Sequence, residues 1–208
     1  MLGATTFRAG LHLVTYPLGI SVGSLGAGII MNRTGRYYVL GLVSLAVFNL
    51  GTGLFCTLAL GTPAVPQYVY LLLFGIGYGA ALTVGTLALI AAVKHEEQAT
   101  TTSTSYLFRA VGSTLGASLG TAVFQTALRG FLHKRLGASP AAREIVERVL
   151  RDFTEVAKVR GPWREVVVGA YMDALRAVFG VAFAMGTLAL LSAAMMREHK
   201  LHKTLDRK

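Results

Sequence analysis

Charge is what this sequence has least of. Only 14% of its 208 residues are Asp, Glu, Lys or Arg while 53% are apolar, and residues 39–60 and 68–93 hold no such charge at all. A helix of a water-soluble domain sets an apolar stripe against a charged face, and most of this chain shows no such alternation, which excludes an ordinary soluble fold. Cysteine is nearly absent as well. The lone Cys56 excludes an internal disulfide and any Cys-built metal site, and it reads as a small packing residue. The patterns HExxH and CxxC do not occur, and no set of Ser, His and Asp converges by spacing. The chain therefore reads as something other than an enzyme, with no cofactor and no metal.

What is present is a series of five apolar stretches, about 10–30, 39–60, 68–93, 99–128 and 166–196. Each reaches the roughly 20 residues that a helix needs to cross a bilayer. Barrel strands alternate polar and apolar residues, whereas YVLGLVSLAVFNLGTGLFCTLAL is apolar on every side. The first stretch follows Arg8 but is too long for a signal peptide and lacks a small-residue cleavage site, so it counts as a span. The expected fold is an all-α membrane protein of five transmembrane helices, with the lipid bilayer as its surroundings.

Glycine, at 24 residues, falls inside the spans: GISVGSLGAG, GIGYG and GSTLGASLG. Small residues three or four apart let membrane helices approach closely, so these positions are expected to pack helix on helix, Gly112, Gly116 and Gly120 forming one groove. GIGYGA follows no strand, which removes a phosphate-loop reading.

Residues 129–165 differ from the rest, with nine Lys or Arg and five Asp or Glu. Ile145, Val149, Phe153 and Val156 share one helical stripe after Ser139 and Pro140, a helix start by capping and first-turn preference. An amphipathic helix over about 140–158, in the loop before the last span, is expected to lie on the membrane surface or the bundle. The basic excess, like the net charge of +10, is a matter of topology and not a sign of nucleic acid. Counting Lys and Arg on the two sides gives ten against eight, so charge alone leaves orientation undecided.

Between the first two spans lies GIIMNRTGR. With Gly28, Arg33, Gly35 and Arg36 it resembles the signature loop of the major facilitator superfamily, departing at Asn32, where that pattern has Asp. Further on, HEEQATTTSTSYLFRAVGSTLGASLGTAVFQTALRGFLHKRL, EIVERVLRDF, AYMDALRAVF and the tail REHKLHK follow in an order similar to the C-terminal region of fungal drug:proton antiporters of the fourteen-helix type, the group of yeast vacuolar basic amino acid transporters in particular. The resemblance implies a proton-coupled antiporter exporting or sequestering small organic cations, drugs or basic amino acids across a vacuolar or plasma membrane. It implies that the hinge is cytoplasmic, with Gly28, Asn32, Arg33, Gly35 and Arg36 as a conformational motif. With five spans, the N-terminus is then lumenal or extracellular and the C-terminus cytoplasmic. It also implies that residues 1–208 are part of a C-terminal transporter half, inactive alone because substrate binds between two halves. The alternative is a small structural or regulatory multi-span protein without transport activity.

Polar groups inside spans are the candidates for a substrate or proton pathway. A charge at the bilayer centre costs about 2.5–3.5 kcal/mol on insertion scales, so Arg109 either snorkels to a rim or has a use. Asp173 and Arg176, three apart, share a helix face and form a structural pair or carry a proton. Tyr78, Thr83 and Thr86 interrupt the third span, and either contact substrate or bond between helices.

Overall fold

The computed structural model describes residues 6–59, 62–136 and 162–196. All of the elements are helical: α1 (Thr6–Thr34), α2 (Tyr38–Cys56), α3 (Ala64–Ala91), a 3-10 turn at His95–Glu97, α4 (Gln98–Leu136) and α5 (Pro162–Ala194). No strand occurs among the described residues. The amphipathic helix expected over 140–158 lies outside them.

Each of the five α-helices contains a segment long and apolar enough to cross a membrane. Several overrun the apolar stretch that announced them, α4 most of all, which continues past Leu128 through Arg129, Lys134 and Arg135 to Leu136. Apolar composition marks where lipid must lie, whereas the hydrogen-bond ladder ignores polarity, and Lys and Arg are good helix formers. At 39 residues α4 is about 58 Å long at 1.5 Å per residue, nearly twice the roughly 30 Å of hydrocarbon.

The helices run up and down. The end of α1, the starts of α2 and α4 and the ends of α3 and α5 share one side, called here the hinge end. Tyr38 there donates to the Ala194 carbonyl at 2.8 Å. In space α3 packs between α1 and α2, and α5 between α2 and α4. Two small cores tie the ends. Ala27, Met31, Tyr37, Ala80, Val84 and Ala88 join α1, α2 and α3 at the hinge end; Leu128, Leu132, Val167, Ala170, Tyr171 and Ala174 join α4 to α5 at the far end.

Glycine lets the first three helices touch backbone to backbone. A Cβ on Gly19 would lie 2.7 Å from the Leu72 carbonyl oxygen, one on Gly75 would lie 2.6 Å from that of Tyr16, and one on Gly51 would lie 2.9 Å from Phe74 Cα. Gly23 and Gly79 face the Ile76 and Ile20 carbonyls even more closely. The groove expected on α4 is a different matter. Nothing lies within 4 Å of a Cβ on Gly112 or Gly116, and Gly120 meets only Val178 at 3.8 Å. Small residues at that spacing create a flat face; they do not supply a neighbour to fill it, and among the described residues none fills it at Gly112 or Gly116.

Large apolar side chains face outward in stripes. On α1 Val14, Leu18, Val22, Leu25 and Ile29 are all more than half exposed, and Met185, Leu188 and Leu191 repeat the pattern on α5. In water such a surface would drive association. In lipid it costs nothing, while the helical backbone satisfies its own polar groups. The chain is an integral, multi-pass, all-α membrane protein.

Candidate functional site

The polar residues singled out in the sequence fall at three levels of the bundle. At the hinge end, Gly35 closes α1 with φ of 66°, a left-handed conformation that a side chain disfavours. Its N–H returns to the Met31 carbonyl at 2.8 Å, satisfying a carbonyl that the helix end leaves free. That geometry explains one glycine of the motif. Asn32, Arg33 and Arg36 are exposed, and Gly28 has open space beside it.

One level inward, α3 gathers Tyr78, Thr83 and Thr86. The Thr86 hydroxyl donates to the Leu82 carbonyl at 2.8 Å and accepts from Arg109 Nη2 at 2.8 Å, so α4 is tied to α3 by a guanidinium. Thr83 donates to the Gly79 carbonyl at 3.0 Å and shares a hydrogen bond of 2.7 Å with Ser24 of α1. Tyr78 lies in a row of rings, its centroid 6.4 Å from Tyr16 and 5.9 Å from Phe48, with 36% of its surface open. Such rings attract cations through their π faces.

Asp173 and Arg176 stand at the far end, away from this group. The Arg176 guanidinium reaches Asp173 Oδ1 at 3.3 Å and donates twice to the Leu58 carbonyl beyond the end of α2, from Nε at 2.8 Å and Nη2 at 2.6 Å. Arg135, from the last turn of α4, takes the other oxygen of Asp173. One carboxylate thus links α4 and α5 while its partner holds α2. The i, i+3 spacing announced the first pair. Arg135 carried no such signal, being 38 residues away.

A further contact escaped the sequence reading. Asn49 of α2, 7% exposed, donates from Nδ2 to Thr187 Oγ1 of α5 at 2.9 Å, while its Oδ1 has no partner among the described residues and lies against Gly186. The signal was an amide in a span without charge, where an unsatisfied polar group is costly. No cluster of His, Cys, Asp or Glu able to hold a metal occurs among the described residues.

Curated proteins that align with almost the whole chain include three fungal ones. The multidrug resistance protein fnx1 of Schizosaccharomyces pombe is 29% identical over 96% of it. The MFS-type efflux transporter ffsH of Aspergillus flavipes is 28% identical over 99%, and the vacuolar basic amino acid transporter 2 of Saccharomyces cerevisiae is 25% identical over 92%. Several of the chain's relatives are named as MFS-type transporters. The chain spans 38%, 37% and 41% of the respective lengths of the three fungal proteins above. No family model matches the chain, and no solved structure does. The resemblance carried by GIIMNRTGR and the order of motifs after it accords with these MFS-type relatives, and their names point away from an enzyme.

Proposed function

We propose that this chain is part of the C-terminal half of a proton-coupled MFS-type antiporter that exports or sequesters small organic cations, drugs or basic amino acids. The observation that carries this reading is near end-to-end similarity to relatives named for multidrug resistance, efflux and vacuolar basic amino acid transport. Tyr78, Thr83 and Thr86 supply a ring and hydroxyls on one helix, and we assign them to the wall of the substrate path. Arg109 pins the mouth of that wall through Thr86. Asp173 and Arg176, engaged with Arg135 and Leu58, we assign to holding the far end together.

In this reading the hinge is cytoplasmic, the N-terminus lumenal or extracellular and the C-terminus cytoplasmic, in a vacuolar or plasma membrane. Alternating access needs two repeats that rock against each other, so five helices alone do not transport. The test uses proteoliposomes with an imposed pH gradient. A protein of the relatives' length carrying this sequence should take up lysine, arginine or a cationic dye saturably, and residues 1–208 alone should match empty vesicles. Gradient-independent or absent uptake by the longer protein would overturn the proposal.

A further inference from the structure

The start of α4 and the end of α3 flank an open cleft of about 550 Å³. Its lining divides by chemistry. Thr100, Thr101, Thr104 and Ser105 present hydroxyls, Arg109 a guanidinium, and Leu89 and Phe108 an exposed apolar side. The four hydroxyls have no hydrogen-bond partner among the described residues, unlike those of Thr83, Thr86, Thr114 and Thr121, which bend back to the carbonyl four residues earlier.

Arg109 is equally underused. It gives one N–H to Thr86 and sits 5.5 Å from the Tyr106 ring centroid, but the described ion pairs both belong to Asp173. Glu96 and Glu97, close by in sequence, do not line the cleft. A cation without a counter-ion, beside idle donors, is a site for an oxyanion.

Depth decides which oxyanion. Residues 110–128 carry no charge and at 1.5 Å per residue cover about 28 Å, close to the roughly 30 Å of hydrocarbon. With that segment in the acyl region, Arg109 falls at its boundary and the hydroxyl-bearing turn falls among the headgroups. A free anion has no use for Leu89 and Phe108; a lipid does. We infer that this cleft binds the phosphate of an anionic phospholipid, Arg109 and the hydroxyls holding the headgroup while Leu89 and Phe108 meet the first carbons of the acyl chains. The site goes beyond the transport reading and is tested without it.

The full chain in neutral detergent is titrated with phosphatidylglycerol, phosphatidylcholine or inorganic phosphate, with bound lipid counted by native mass spectrometry and Tm followed in parallel. Phosphatidylglycerol should bind and raise Tm at concentrations where the other two do neither. Arg109→Gln should weaken it about tenfold or more, the scale of a charged hydrogen bond. A Thr101→Val, Thr104→Val double variant, which keeps the guanidinium, should weaken it several-fold and decides the matter if Arg109→Gln does not fold. Undiminished phosphatidylglycerol binding in the double variant would overturn the site. Equal stabilisation by inorganic phosphate would overturn the lipid assignment in favour of a free anion.

Discussion

Replacing Gly75 by alanine should drive α1 and α3 apart. The new methyl carbon would stand 2.6 Å from the Tyr16 carbonyl oxygen and 3.1 Å from Gly19 Cα, and ordinary contact begins near 3.4 Å. Both obstacles are backbone on a neighbouring helix, so no side chain can swing aside and the helices must separate by several tenths of an ångström. Overpacking of this kind costs about 1–3 kcal/mol. With both obstacles fixed backbone the cost falls in the upper part of that range, about 2–3 kcal/mol, and alanine returns up to about 1 kcal/mol through helix propensity, leaving a net loss of at least about 1 kcal/mol. Gly116 is the matched control, since a methyl there meets nothing within 4 Å and only the propensity gain remains, up to about 1 kcal/mol. Thermal unfolding of both variants in the same detergent should therefore place Gly75→Ala below the parent and Gly116→Ala level with it or above. A Gly75→Ala protein as stable as the parent, or a Gly116→Ala protein less stable than Gly75→Ala, would refute the backbone contact between α1 and α3.

Two other contacts allow smaller predictions. Thr187→Val keeps the shape but removes the acceptor of Asn49 Nδ2, leaving a buried amide with neither end paired; unfolding should show a loss of about 0.6–2 kcal/mol, and no loss would mean that Asn49 finds another partner. Asp173→Asn should cost about 0.5–1 kcal/mol, because its side chain and those of Arg135 and Arg176 are 25–40% exposed and water screens them. That difference should shrink in high salt, and a salt-independent loss would point to packing instead of charge.

The five helices were legible because lipid imposes a simple rule, some 20 apolar residues per crossing, and stretches such as 39–60 obey it without a charge. Their ends were not legible, as Arg129 to Leu136 shows, because helix and lipid stop at different residues. Side-chain pairs three apart, Asp173 with Arg176, could be read directly, since helical geometry brings them together. The pairs that join helices, Arg109 with Thr86, Arg135 with Asp173 and Asn49 with Thr187, depend on which helices are neighbours and at what height, and no spacing in the sequence encodes that. Glycine fell between these cases. Gly75 and Gly116 look alike in sequence, yet one is pressed against a backbone and the other is open.

The proposed place of Tyr78, the open ring on α3, in the wall of the transport path is probed by cysteine protection at position 78. In a protein of the relatives' length with Cys56→Ala, the Tyr78→Cys variant should react with a small polar maleimide from the aqueous phase, and a transported cation or basic amino acid should slow that reaction. Cysteine placed at Leu25, on the outward stripe of α1, should be indifferent to substrate. Labelling at position 78 that no substrate slows, or protection at both positions alike, would contradict the account.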